Sequence, residues 1–142
     1  MKNFLLPYTW KFVGLIVSLS GIVMAILYIW FDVRIMLPVF AVYSSFLETK
    51  YFTSFHTNVA DEITVLLLLA GLGLIVLSRE KNETEILDLL RIKALIRSIE
   101  ANIIMLILAV LFVFGTGFMF AMVFNLISFQ VFYLIFFYFF KR

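Results

Sequence analysis

The sequence contains no cysteine and few charged residues, and each shortage excludes a class of protein. Without cysteine the chain can form no disulfide and no thiolate metal site, and it has no cysteine nucleophile. Helical bundles held together by disulfides are excluded for the same reason. Charged residues make up 14% of the chain, against about 25% in a typical soluble domain. This deficit argues against a water-soluble fold.

Apolar residues make up 65% of the chain, and its mean hydropathy is +1.14. Lipid offers no hydrogen-bond partner to the backbone, so only helices and closed barrels cross it. The apolar runs here are continuous rather than alternating, which indicates helices. We therefore predict an all-α integral membrane protein with four transmembrane helices, in contact with the lipid bilayer.

Four apolar segments have about the length of a bilayer crossing, which takes ~20 helical residues. Positions 101–140 contain no Asp, Glu, Lys or Arg, so a turn must lie within that run. The glycines there place it between Gly115 and Asn125. The predicted spans are 12–31, 59–78, 101–118 and 122–140, with an external loop over 32–58 and a cytoplasmic helix over 82–100 that leads into the third span.

The basic residues indicate the orientation of these spans. If both termini are cytoplasmic, only Arg34 and Lys50 of the 11 Lys and Arg residues lie outside, which is the bias expected of membrane proteins. The net charge of +2 is small and its residues are scattered. Nucleic acid is therefore not a predicted partner.

The only histidine lies in the segment HTNVADEI, just before the second span. His56 with Asp61 and Glu62 could in principle hold a metal or move protons at the outer mouth. A metal needs three or four convergent ligands, however, and the two carboxylates point about 100° apart on a helix. We favour a helix cap at Asn58, with Asp61 three residues on. No metal, cofactor or catalytic set is predicted.

Small and polar residues on the helices indicate contacts between them. Small residues let two helices approach closely in lipid, and amides hydrogen-bond across them. We predict a small-residue stripe on the first helix and a polar face on the third, consisting of Gly14, Ser18, Gly21 and Ala25, and of Asn102, Ala109 and Thr116. The stripe can close within the chain, which we favour, or in a homo-oligomer. Asn125, Ser128 and Gln130 offer either structural hydrogen bonds or a small polar cavity.

The predicted cytoplasmic helix has its cap at Asn82, with Glu85 three residues on. Its apolar residues cover more than one face, so it packs under the bundle or docks a protein partner. Packing is the favoured alternative. The candidate partner contacts are Asp88, Leu90, Arg91, Ile96 and Arg97.

The segments NVADEI, SREKNETE and VFN, with the apolar span after the first, are similar in spacing to a group of small four-helix proteins of the bacterial inner membrane. These are uncharacterised proteins. The resemblance covers most of the chain, and it implies a four-helix fold in the bacterial cytoplasmic membrane. It implies no activity.

Three classes of function follow from these observations. A non-enzymatic membrane module, such as a regulatory, anchoring or accessory subunit, fits best. A subunit of a small transporter or channel assembly is the alternative, although the interior of the spans lacks the ionisable residues typical of ion pathways. An intramembrane enzyme needs a nucleophile, a base or a metal set that the sequence does not present.

Overall fold

The computed structural model describes residues 5–44, 50–82 and 84–142. Four helices and one pair of strands make up this part of the chain. In chain order they are α1 (Thr9–Phe31), β1 (Met36–Ser44), β2 (Lys50–Asn58), α2 (Ala60–Leu77), α3 (Glu85–Phe112) and α4 (Thr116–Lys141). The predicted all-α fold class is confirmed in part. The described chain is mostly helical, and all four helices are long and apolar enough to cross a membrane, but the two strands show that it is not all-α.

Few residues of the four helices are buried inside the chain. In the most apolar stretch of each helix, between 6% and 17% of the residues are buried inside the chain. Exposing apolar surface to water costs about 25 cal/mol for each Å². The helices therefore suit a lipid environment and not an aqueous one.

The helices pack side by side in the order α1, α2, α4, α3. We call the end where α1 and α3 begin and α2 and α4 end the charged end. The opposite end carries the two strands and the turn between α3 and α4, and we call it the hairpin end. A buried apolar cluster lies near the charged end, where Leu87 and Ala94 of α3 pack on Tyr133 and Phe137 of α4.

The turn between α3 and α4 lies earlier than predicted. It occupies positions 113–115 and not the stretch between Gly115 and Asn125. Gly115 has a φ of +67°, a conformation that residues with a Cβ rarely adopt, so this glycine makes the turn. Consequently the third span ends at Phe112, and Thr116 begins α4 rather than belonging to the polar face of the third helix.

The predicted cytoplasmic helix is the first part of α3, a single helix of 28 residues. Its cap is Thr84 and not Asn82, because the Thr84 side chain accepts a hydrogen bond from the Leu87 amide at 3.4 Å. Asn82 belongs to the preceding turn, and Glu83 is outside the described residues. The charged first part of α3 lies beside the last turns of α4.

The predicted external loop is largely an antiparallel pair of strands. Met36 pairs with Asn58 and Phe40 with Ser54 in its register. Both strands are rich in aromatic and β-branched residues, which favour a pleated strand. We call β1 and β2 the β-hairpin.

Candidate functional site

Small residues bring α1 and α2 into backbone contact. Gly14, Ser18 and Gly21 are buried, as is Gly71 of α2. A Cβ on Gly14 would lie 2.7 Å from the Gly71 carbonyl oxygen, and one on Gly71 would lie 2.7 Å from Ser18 Cα. Ala25, at the end of the predicted stripe, is half-buried. The stripe therefore closes within the chain.

Hydrogen-bonded side chains join α3 to α4 near the middle of their length. Asn102 Nδ2 donates to Asn125 Oδ1 at 3.2 Å, and Asn125 Nδ2 donates back to Asn102 Oδ1 at 3.3 Å. The Ser128 hydroxyl donates to the same Asn102 oxygen at 3.0 Å. We call these three residues the amide cluster. Its members satisfy one another, which makes the cluster a structural contact.

The other predicted polar residues lie away from the amide cluster. Ala109 is half-buried two turns further along α3. Gln130 belongs to the α4 face beside α2, where its Nε2 atom lies 3.6 Å from the position of a Cβ on Gly73. Its buried Oε1 atom has no hydrogen-bond partner among the described residues.

Arg91 was a predicted partner contact, and the structure corrects this prediction. The residue is only 4% exposed. Its guanidinium donates to the Ser78 carbonyl at 3.1 Å and to the Val76 carbonyl at 3.4 Å, and it lies 4.9 Å from the centre of the Phe137 ring. Carbonyl groups at the end of a helix carry partial negative charge. Arg91 therefore caps the end of α2, and its guanidinium is not available to a protein partner.

The remaining predicted contacts lie on different faces of α3. Leu90 packs against the buried cluster, and Asp88 is half-buried with one buried carboxylate oxygen. Ile96 is exposed, and Arg97 is exposed and paired with Glu100 at 2.7 Å. These five residues do not form one surface.

An ion cluster around Glu80 closes the charged end. Glu80 contacts Lys11 of α1 at 2.5 Å and Lys141 of α4 at 2.9 Å. Partial burial acts to raise the pKa of Glu80, but hydrogen bonds to the two lysine ammonium groups outweigh it and leave this pKa below its usual value. The cluster ties the first and last helices to the turn after α2.

The residues around His56 do not converge. His56 is exposed on β2. Asn58 accepts hydrogen bonds from the amides of Ile35 at 2.9 Å and Ala60 at 3.2 Å, but the N-cap position of α2 is Val59 and not Asn58. Within 5–44, 50–82 and 84–142, no three His, Asp or Glu side chains are grouped as metal ligands.

Asp61 and Glu62 lie in the first turn of α2, and both are exposed. Two carboxylates at this position oppose the partial positive charge at the start of a helix. The role that the geometry supports for them is therefore stabilisation of α2.

Comparison with protein-family models, curated proteins and solved structures yields no match. The resemblance to small four-helix inner-membrane proteins therefore stays a prediction.

Sequence reasoning missed two features of the charged end. The only signals for the Glu80 cluster in the sequence are the position of Glu80 between two basic residues and the lysines Lys11 and Lys141 at the ends of the first and last spans. The capping role of Arg91 had no local signal, because α3 is apolar on several sides in that region.

Proposed function

We propose that this protein crosses the bacterial cytoplasmic membrane four times and serves as a non-enzymatic regulatory, anchoring or accessory subunit. Both termini then lie in the cytoplasm and the β-hairpin lies outside. The proposal is supported above all by the exposed apolar face of the β-hairpin. Phe40 and Phe52 are 67% and 71% exposed.

That apolar face is built from both strands. Met36, Phe40 and Val42 alternate along β1 and so share one face, and the ring of Phe52 lies 6.5 Å from the ring of Phe40. All four side chains are more than half exposed. Contiguous exposed apolar surface is typical of interaction sites, and an isolated two-stranded sheet is marginally stable in water. A protein partner would cover the face and stabilise the sheet.

A second surface on α3 supports contact at the charged end. Ile86 and Leu89 are 69% and 68% exposed on the face away from Arg91. Because Arg91 packs against α2 and α4, a partner that binds this part of α3 would contact only its outer face. An anchoring subunit could use the β-hairpin and this face on opposite sides of the membrane.

The transporter or channel alternative depends on the amide cluster. Asn125 lies about 14 Å along α4 from Thr116, close to the middle of a hydrocarbon core of ~30 Å. Polar groups at that depth are expected in a pathway. The cluster members bond to one another, however, and this favours a contact between helices over a route for solutes.

Photo-crosslinking in cells that naturally produce the protein tests the proposed contact. A benzoyl-phenylalanine replaces Phe40 or Phe52, and the control replaces Phe114, which is 77% exposed at the same end of the bundle. We expect the two β-hairpin positions, and not the control, to crosslink to one protein. Crosslinks to lipid alone, or equal crosslinking from all three positions, would overturn the proposal.

Cysteine labelling tests the orientation, since the natural chain has no cysteine. We expect an impermeant thiol reagent to label H56C in intact cells and to label E85C only after the membrane is opened. Both side chains are exposed in the structure, so accessibility within the fold is matched. Labelling of E85C in intact cells would reverse the topology.

A further inference from the structure

A groove of about 520 Å³ opens between α3 and α4 toward the charged end. Ligand sites in proteins have volumes of roughly 300 to 1,000 Å³, so the groove could hold part of a small molecule. Its walls include Arg97, Glu100 and Ile104 of α3 and Ile135, Phe136 and Phe140 of α4. No residue of α1 or α2 lines it. The groove therefore opens on the outside of the bundle.

The buried contact of α3 with α4 lies on a neighbouring face of α3. The buried residues of α3 are Leu87, Arg91, Ala94 and Ser98, which follow one another at helical spacing. The side chains of Arg97 and Glu100 are 58% and 51% exposed. The charged pair in the groove is therefore open to whatever surrounds the bundle.

The mouth of the groove carries an excess of positive charge. Arg97 pairs with Glu100 at 2.7 Å. Lys93 precedes Arg97 by one turn on the same side of α3, and its ammonium nitrogen lies 4.6 Å from the centre of the Phe140 ring. Lys93 thus lies beside the groove, against the lining residue Phe140, so that two cations stand near one carboxylate.

The side chains of these two cations extend toward the depth of lipid headgroups. Along α3 from Phe112, Lys93 is about 28 Å away and Arg97 about 22 Å, in a hydrocarbon core of ~30 Å. Long basic side chains extend toward the interface, and helical side chains point toward the start of their helix, which here is the charged end. Both cations can therefore reach the headgroup layer.

The inner part of the groove is apolar. Ile104 of α3 faces Ile135 and Phe136 of α4 there. From Arg97 to Ile104 the groove follows α3 for about 10 Å, roughly a third of the ~30 Å core. It thus has a basic mouth at the interface and an apolar floor within one leaflet.

We propose that the groove binds an anionic phospholipid, with its phosphate diester at Lys93 and Arg97 and one acyl chain along Ile104, Ile135 and Phe136. The site rests on the membrane insertion proposed above, but not on the protein partner. Basic pockets between membrane helices favour anionic headgroups through charge complementarity. Glu100 holds Arg97 beside the groove and opposes the phosphate, so it limits the affinity.

Spin-labelled lipids in phosphatidylcholine bilayers test the site. The probes are phosphatidylglycerol and phosphatidylcholine, and the measurement is the relative association constant from the motionally restricted fraction of each. We expect the natural protein to prefer phosphatidylglycerol. The K93Q/R97Q variant should reduce the preference by about five-fold for each cation lost, while E100Q should increase it.

Two further variants separate the groove from general surface charge. K81Q/R142Q removes two exposed cations that do not line the groove at the same end of the bundle, and it should leave the preference unchanged. A101F places a ring in the groove without altering charge, because Ala101 lines it, and it should lower association of the anionic lipid.

The outcomes that overturn the site are distinct. Equal preference in the natural protein and K93Q/R97Q, an equal loss in K81Q/R142Q, or full association in A101F would each reject it. Release of the lipid by millimolar inorganic phosphate would assign the mouth to a free anion instead. Absence of a restricted fraction for both lipids would mean that the chain does not insert, which would overturn the proposed function itself.

Discussion

The two antiparallel helix pairs are held together by different chemistry. The α1–α2 pair has buried glycines and serine that bring the backbones together, whereas the α3–α4 pair contains the amide cluster and stacks Arg91 on Phe137. Dispersion forces fall steeply with distance, so the first pair depends on close fit. The second combines an apolar cluster near the charged end with hydrogen bonds that are made at side-chain length, and it leaves room for a groove. Added volume should therefore damage the first pair most, and lost polarity the second.

The largest effect is expected from added volume at Gly71. The change G71L should prevent α1 and α2 from packing, because even a Cβ there lies 2.7 Å from Ser18 Cα. Overpacking costs about 1 to 3 kcal/mol and sometimes more, and backbone cannot move aside as a side chain can. Unfolding followed by circular dichroism in detergent would measure the loss.

The matched control is G73L in the same helix. The nearest atom to a Cβ on Gly73 is the Gln130 amide nitrogen at 3.6 Å, at the tip of a flexible side chain. We expect a clearly smaller loss of stability. Equal losses in the two variants would show that α1 and α2 do not meet at Gly71.

The next effect is expected from loss of the guanidinium of Arg91. R91M keeps much of the aliphatic length but leaves the Val76 and Ser78 carbonyls without this donor. Hydrogen bonds from charged groups contribute about 1.5 to 3 kcal/mol, so a loss of about 2 kcal/mol is expected in the same unfolding measurement. R97M, at an exposed position, should change stability by less than about 0.5 kcal/mol.

A smaller effect is expected from the amide cluster. A double-mutant cycle with N102A, N125A and the double variant should give a coupling free energy of about 0.6 to 1.7 kcal/mol, as found for hydrogen bonds between membrane helices. Zero coupling would mean that the two amides do not bond to each other. N102A with Q130A serves as the reference pair, and it should show no coupling.

The smallest effect is expected from Glu80, and it should depend on pH. The folded state holds the pKa of this carboxyl below its usual value of 4.5. The ionised form therefore stabilises the fold at pH values above 4.5, and this contribution is lost as the pH falls through the lowered folded-state pKa. Unfolding measured between about pH 6 and 3 should show a fall in stability that E80Q lacks. The same dependence of stability on pH in the natural protein and in E80Q would contradict the ion cluster.

Several elements could be predicted from the sequence because their signal is local. Long apolar runs indicate helices wherever the backbone must bond internally, and the observed helices overlap all four predicted spans. The turn was misplaced because Gly115 and Gly117 are both glycines two positions apart, and the sequence does not show which of them makes the turn. Only the backbone distinguishes them, since Gly115 has a positive φ and Gly117 lies within α4.

The candidate contacts were harder to predict because they depend on neighbours. Arg91 and Arg97 lie on the same charged segment, yet one is 4% exposed and the other is open to the surroundings. When apolar residues cover several faces of a helix, the pattern does not indicate which face is buried. The position of α4 beside α3 decides which arginine is buried and which lines the groove.

Composition and run length by themselves determined that this chain forms four lipid-compatible helices, because burial of apolar surface and backbone hydrogen bonding act along each segment separately. Tertiary structure alone decided that Gly14 meets Gly71, that Asn102 meets Asn125 and that Glu80 joins Lys11 to Lys141. These contacts join residues that are 23 to 69 positions apart. The order in which the helices pack determines these partners, and no local pattern carries that information.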